Sequence, residues 1–395
     1  MRRALPCLAL AILAAPGGGC ELSGEDVVYE TEALAAVEGR WVALGGDLGP
    51  DPAAYLGRPS LAVTPVRPAV AVWSVDPTSG LDTTTVSRWI AGAWEEVGAL
   101  EGARPVIAAG GRNRLYVCHG AGPFVVRWNG ASWIAVGGDI ASEAGFRAGR
   151  YLVEGCQGMV FAGDGEPVVA WSADVGAKAN LVFAARWSRG ERRWIGVGDG
   201  AIGPRATDAA IAMDARGRLV VATFTPGGSY GGGNTTRVFR RDSAAWTQLG
   251  DDAPGTSEPT VAVHGPKAYL AHGASDPDLP PAVTVMQWRQ GGWQVIAPAL
   301  PGDGPTIAFT RSGKLLLAYR ASDAITGDPA ASALRVVRLA HGEWHRVGDD
   351  VADLTARVAW QAIAVDALGR PVVAWREQDG AGAALFVRRF SAALP

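Results

Sequence analysis

The chain has 395 residues and a net charge of −3, with only 19% charged residues but 53 glycines and 25 prolines. Its lysines and arginines are scattered without a basic stripe, which argues against nucleic acid as a partner, since phosphate binding needs clustered cations. No long segment keeps an apolar period of about 3.6, which excludes a helical domain; short runs of Val, Ala, Leu and Trp between Gly, Asp and Pro clusters predict many short strands joined by turns.

The N-terminus reads Met1-Arg2-Arg3, then an apolar run from Ala4 to Ala15, then Pro16-Gly17-Gly18-Gly19-Cys20. A positive start, an apolar stretch too short to span a bilayer and small residues before a cleavage point predict a secretory leader over residues 1–19. The glycines before Cys20 resemble the lipobox of bacterial lipoproteins, although Gly17 stands where that motif has leucine. The resemblance implies lipidation of Cys20, a tether over residues 20–37, and an exported protein anchored in the bacterial cell envelope, at the outer membrane or cell surface. Contact with the membrane is then through the lipid alone, and ordinary secretion or a periplasmic location is the alternative. Of the remaining cysteines, Cys118 and Cys156 can form a disulfide in an oxidising compartment or stand as two separate buried thiols.

From residue 38 onward the sequence repeats. Trp41-x-x-Leu44-Gly45 recurs at Trp94, Trp133, Trp194, Trp246, Trp293 and Trp344, at a mean spacing of about 50 residues. Each copy follows an apolar hairpin, such as Ile363 to Trp375 turning at Asp366 and Gly369. A third strand then ends in Trp89, Trp128, Trp187, Phe239, Trp288, Leu339 or Phe390. Labelled a to d, these strands predict an all-β fold: one seven-bladed β-propeller over residues 38–395, with four antiparallel strands per blade. The last copy supplies a, b and c, and the strand at Trp41 supplies the missing d, so the N-terminal strand completes the last blade and removes an open edge. The third repeat carries extra sequence from Ile140 to Gln157, expected to form an added strand.

The Trp-x-x-Leu/Val strand and its hairpin resemble degenerate kelch repeats over residues 38–395, without the glycine pair that kelch repeats carry at the end of strand b. Sialidase-like propellers are a more distant resemblance, because their Ser-x-Asp-x-Gly-x-Thr-Trp turn does not occur. Both resemblances imply the fold alone.

The short a–b and c–d turns share one face of such a propeller, and the longer b–c and d–a loops share the other, which is the expected binding surface. Two sets of residues are expected there. At the end of strand b, Trp73 with Asp76, Trp171 with Asp174, Tyr319 with Asp323 and Trp375 with Asp379 offer a ring for sugar C–H groups beside a carboxylate for hydroxyl protons. After strand d come Asp47, Asp139, Asp199, Asp251 and Asp349, either cation ligands or carboxylates capping their own turns. No Gly-x-Ser-x-Gly elbow, His-Glu-x-x-His or phosphate loop occurs, so no enzyme and no cofactor is expected. The readings that follow are an envelope scaffold binding a protein through its loop face, a glycan-binding lectin, and, on fold analogy, a polysaccharide-active enzyme.

Overall fold

The computed structural model describes residues 38–392, apart from 49–54, 65–66, 76–78, 112–113, 121, 147–151, 175–179, 199, 228–233, 243–244, 255–258, 275–280, 323–331, 353–356 and 380–381. The leader, Cys20 and the tether lie outside the described residues.

The fold is an all-β propeller of antiparallel meanders. After β1 (Trp41–Ala43) and β2 (Tyr55–Leu56), one meander runs β3 (Ser60–Val63), β4 (Pro68–Val75), β5 (Asp82–Ile90) and β6 (Ala93–Glu101). The next is β7 (Val106–Gly110), β8 (Arg114–His119), β9 (Phe124–Trp128) and β10 (Trp133–Ala135). A helical turn, α1 (Ile140–Glu143), leads into β11 (Leu152–Phe161), β12 (Pro167–Asp174), β13 (Asn180–Ser188) and β14 (Arg193–Gly196). Then come β15 (Asp208–Met213), β16 (Leu219–Thr225), β17 (Thr235–Asp242) and β18 (Ala245–Gln248), with the short β19 (Ala253–Pro254). β20 (Thr260–His264), β21 (Lys267–Ala274), β22 (Ala282–Arg289) and β23 (Gly292–Val295) precede β24 (Leu300–Phe309), β25 (Leu315–Ser322), β26 (Ser332–Ala340) and β27 (Glu343–Arg346). The chain closes with β28 (Arg357–Val365), β29 (Pro371–Asp379) and β30 (Gly382–Phe390).

Hydrogen bonding among the described residues does not divide these strands into seven equal sheets. Five sheets have four or five strands and the sixth has eight, because Ala282 and Val283 of β22 pair with Pro301 and Leu300 of β24 and so tie two meanders together. β1 pairs with β30, Trp41 opposite Phe390, and so completes a sheet with β29 and β28. The innermost strands close a circle: β3 packs on β7, β7 on β11, β11 on β15, β15 on β20, β20 on β24, β24 on β28, and β28 on β3. Among the described residues the insert after Asp139 is not an added strand. Its first residues form α1, whose Ile140 is fully buried, and β11 then begins at Leu152.

The local chemistry explains the tight a–b turns. Asp214 Oδ1 accepts from the backbone N–H of Arg216 and Arg218, both at 2.9 Å, while Gly217 takes φ +75°. Asp366 accepts from Leu368 and Arg370 around Gly369 in the same way. A carboxylate satisfying two turn amides and a glycine in the left-handed region fix the reversal.

The repeated tryptophans join one meander to the next. Each indole N–H of strand d donates to a carbonyl of the preceding meander's strand d: Trp94 to Leu44 (2.5 Å), Trp133 to Val97 (3.1 Å), Trp194 to Val136 (2.8 Å) and Trp246 to Val197 (3.3 Å). Trp293 donates to Leu249 (2.6 Å), Trp344 to Pro298 (3.0 Å), and Trp41 to Val347 (2.9 Å), which closes the circle. The glycine after the accepting residue makes room for the ring. A Cβ on Gly137, at φ +77°, would lie 2.8 Å from the Trp194 indole. Where Ala297 replaces that glycine, the acceptor moves to Pro298. The motif thus encodes a contact between repeats.

Most of the hairpin aromatics pair as the sequence predicts, with Trp89–Trp94, Trp128–Trp133, Trp187–Trp194 and Trp288–Trp293 ring centroids 5.2–5.7 Å apart. Phe239 does not. The register sets Arg241 opposite Trp246, and Phe239 opposite Gln248.

Candidate functional site

The rings at the ends of the b strands are sealed between sheets. Trp171, Tyr319 and Trp375 are 1–2% exposed. Trp171 stacks on Phe183 at 5.8 Å and meets the edge of Phe146 at 5.6 Å; Trp375 stacks on Phe386 at 5.6 Å. The Trp375 indole donates to Glu377 at 2.6 Å. Trp73 is half-buried, and its indole donates to Asp82 at 2.9 Å. Asp174 pairs in register with Asn180, while Asp76, Asp323 and the side chain of Asp379 lie outside the described residues. Without an open ring face, Trp171, Tyr319 and Trp375 cannot stack a sugar, and the expected sites at these three rings are corrected accordingly. Cys118 stands at the same level of its b strand, and its disulfide to Cys156 ties β8 to β11.

Two of the five aspartates after strand d hold backbone. Asp47 accepts from Leu385 N at 3.0 Å, and Asp139 caps α1 by accepting from Ser142 N at 2.6 Å. Asp251 and Asp349 are exposed, and Asp199 lies outside the described residues. The following residues do the work instead: Asp252 pairs with Arg237 (2.6 Å), and Asp350 with Arg335 (2.8 Å) and Arg346 (2.5 Å). Among the described residues no group of three or more His, Cys, Asp or Glu side chains could hold a metal ion. The loop face that these residues were expected to furnish falls largely outside the described residues.

A pocket of about 460 Å³ opens on the other face, beside the short turns of β11–β12 and β13–β14. Asp164, Glu166, Arg186, Trp187, Arg189 and Arg241 line it. Asp164 is ion-paired with Arg186, and Glu166 with Arg189. Trp187 is half-buried against Trp194, leaving part of the indole open. This turn differs from its equivalents. In β15–β16 and β28–β29 the turn pairs its own Asp with an arginine four residues on, Asp214–Arg218 and Asp366–Arg370, each at 2.7 Å. Here Ala162 and Glu166 occupy those positions, as the Gly165 N–H to Ala162 carbonyl bond shows, and the partner cations come from the neighbouring hairpin. The pocket thus brings guanidinium donors and carboxylate acceptors together beside an indole, groups that a small polyhydroxylated ligand can use. The sequence signal was the exchange of Arg for Glu at position 166.

Two histidines are buried off this site. His272, 3% exposed, and His119 each have an Nε2 with no hydrogen-bond partner among the described residues. Loss of solvation lowers both pKa values below the usual imidazole range, and for His119 the bond between Nδ1 and the Glu101 carbonyl opposes that shift.

No protein-family model matches the chain, and no curated protein sequence matches it. Solved structures do. An α-L-arabinanase from Penicillium chrysogenum, complexed with arabinobiose, aligns at 10% identity and a TM-score of 0.46 over 88% of this chain and 97% of its own. A Trypanosoma rangeli sialidase in complex with sialic acid aligns at 11% identity and a TM-score of 0.49 over 90% of this chain and 59% of its own. The Aleuria aurantia lectin aligns at 14% identity and a TM-score of 0.45 over 76% and 96%. The expectation that the chain is no enzyme is corrected: an arabinanase and a sialidase are among the structures it resembles in fold, so the missing motifs do not exclude an activity. That expectation rested on motifs read in one dimension, and propellers gather their site residues from several sheets.

Proposed function

We propose that the chain is an exported, seven-bladed propeller that binds a glycan in the pocket beside Trp187. Residues 1–19 are its leader, 20–37 a tether lipidated at Cys20, and 38–395 the propeller, held in the bacterial cell envelope. The blade count treats β20–β23 and β24–β27 as two blades with kelch-like hairpins, since each repeats the a-to-d order. The observation that carries the glycan reading is the ion-paired set Asp164–Arg186 and Glu166–Arg189 around a part-open indole. Paired in this way, the acids are fixed as acceptors and the guanidinium groups as donors, so hydroxyl groups find both without a new ordering cost.

A glycan array of neutral and acidic oligosaccharides, followed by titration calorimetry with wild type, Asp164→Asn and Arg189→Ala, tests it. Binding should weaken at least about tenfold in both variants, the cost of one charged hydrogen bond. No binding at millimolar sugar, or binding indifferent to both substitutions, overturns it. A second reading, cleavage of the bound glycan, is favoured by the presence of two carboxylates in one pocket. Release of reducing ends by wild type, lost in Glu166→Gln, is its test.

A further inference from the structure

The cations that look scattered along the sequence are gathered by the fold onto the short-turn face. The residue of strand c just before the hairpin position opposite the motif tryptophan is Arg88, Arg127, Arg186, Arg240, Arg338 or Arg389, with Gln287 the exception. Each lies across from strand b in the same register, two residues after a second position. That second position is Arg67, Arg114, Arg218, Lys267, Lys314 or Arg370, and in β11–β12 it is Glu166. Two series of cations therefore run around the face, one broken at Gln287 and the other at Glu166 in the Trp187 pocket.

Acids neutralise part of this array: Asp214 and Asp242 hold Arg218, Asp242 holds Arg240, Asp366 holds Arg370, and Asp164 holds Arg186. At two places cation also meets cation, although Glu95 lies opposite Arg88 and Asp366 stands near Arg389 and partly offset this. Burial first, and then Arg67, lowers the pKa of Arg88; burial and then Arg370 lower that of Arg389. The Nε atoms of Arg88, Arg127 and Arg338 are buried without a hydrogen-bond partner among the described residues. Like charges held side by side on a rigid sheet destabilise the free protein and attract a polyanion.

We propose that the double ring is a track for an acidic polysaccharide, whose chain runs along the cations and seats one unit in the Trp187 pocket; this rests on the glycan reading above. The ring arginines of strand c are half-buried, apart from the exposed Arg186. Such a flush surface suits a flexible chain that settles between turns better than a flat bilayer. The pocket that interrupts the ring adds hydroxyl recognition to charge.

The test uses the full chain carrying Cys20→Ser and, as probes, polygalacturonate and its methyl-esterified, uncharged form. Arg67, Lys267 and Lys314 are exposed, so the triple variant R67Q/K267Q/K314Q leaves packing untouched. The acidic polymer should bind more tightly than its ester, lose about tenfold between 50 and 200 mM salt, and lose about tenfold in the triple variant. Equal binding of acid and ester, no polymer binding, or indifference to the triple substitution overturns the track. So does binding confined to phosphatidylglycerol vesicles or duplex DNA. If the track fails while the ester still binds and Asp164→Asn abolishes that binding, the pocket stands alone; if neither polymer nor any oligosaccharide binds, the glycan reading fails with it.

Discussion

Trp41 and Val347 stand 306 residues apart, and the indole N–H of the first donates to the carbonyl of the second at 2.9 Å. Trp41 also meets Phe390, which is fully buried, at a centroid distance of 5.4 Å and a tilt of 57°. The ring of sheets is thus latched by the backbone pairing of a three-residue strand with β30 and by the Trp41 side chain.

Trp41→Phe keeps the ring and loses the donor, and should cost about 1 kcal/mol. Trp41→Ala loses both, at about 3 kcal/mol. Urea unfolding followed by tryptophan fluorescence separates the two, and equal costs would show that the hydrogen bond contributes nothing.

Gly137 accepts the Trp194 indole where a Cβ would stand 2.8 Å away, whereas a Cβ on Gly130, also at positive φ, meets nothing within 4 Å. Gly130→Ala should cost about 1 kcal/mol for its backbone alone. Gly137→Ala should cost about 3 kcal/mol, because the indole must also move. Thermal or chemical denaturation of the pair checks the difference, and similar losses would remove the role given to that glycine.

The Cys118–Cys156 bond closes a 38-residue separation between adjacent sheets. Its removal by Cys118→Ala together with Cys156→Ala should lower stability by about 2–4 kcal/mol. The transition of wild type, but not of the double variant, should then shift with dithiothreitol.

His272 is neutral in the folded chain because burial holds its pKa below 6.5, the value that an exposed imidazole takes. The unfolded chain therefore binds a proton first as pH falls, and stability contributed by the neutral ring is present above 6.5 and lost progressively below it. Unfolding free energies measured from pH 7.5 to 5 should fall less steeply in His272→Gln than in wild type. An unchanged slope would place the acid sensitivity elsewhere, with His119 the next residue to replace.

The join of Trp41 to Phe390 was legible because a lone d strand at one end and a lone a–b–c set at the other have no other partners. The spacing of the tryptophans was legible too, but the reason for it was not. The acceptor of each indole belongs to the preceding repeat, which a repeat read by itself cannot show. Phe239 carries the aromatic ring that the repeat predicts opposite the tryptophan, yet hairpin length rather than residue type sets Arg241 against Trp246. Burial of Trp171 and Trp375 depends on which neighbouring sheet covers the end of strand b, and nothing in their own strands encodes that. The cation rings are not legible in the sequence for a similar reason. Their members recur only once per repeat, and Gln287 and Glu166 break the series.

The circle of indole donors also makes the position of the chain break arbitrary. Every meander gives one hydrogen bond backward and receives one from the meander ahead, whether its strands are contiguous or, at β1 and β30, drawn from both ends. A permuted gene that links Phe390 to Trp41 by a short turn and opens instead between Asn129 and Ser132 should therefore fold to the same ring, with Trp133 acting as its latch.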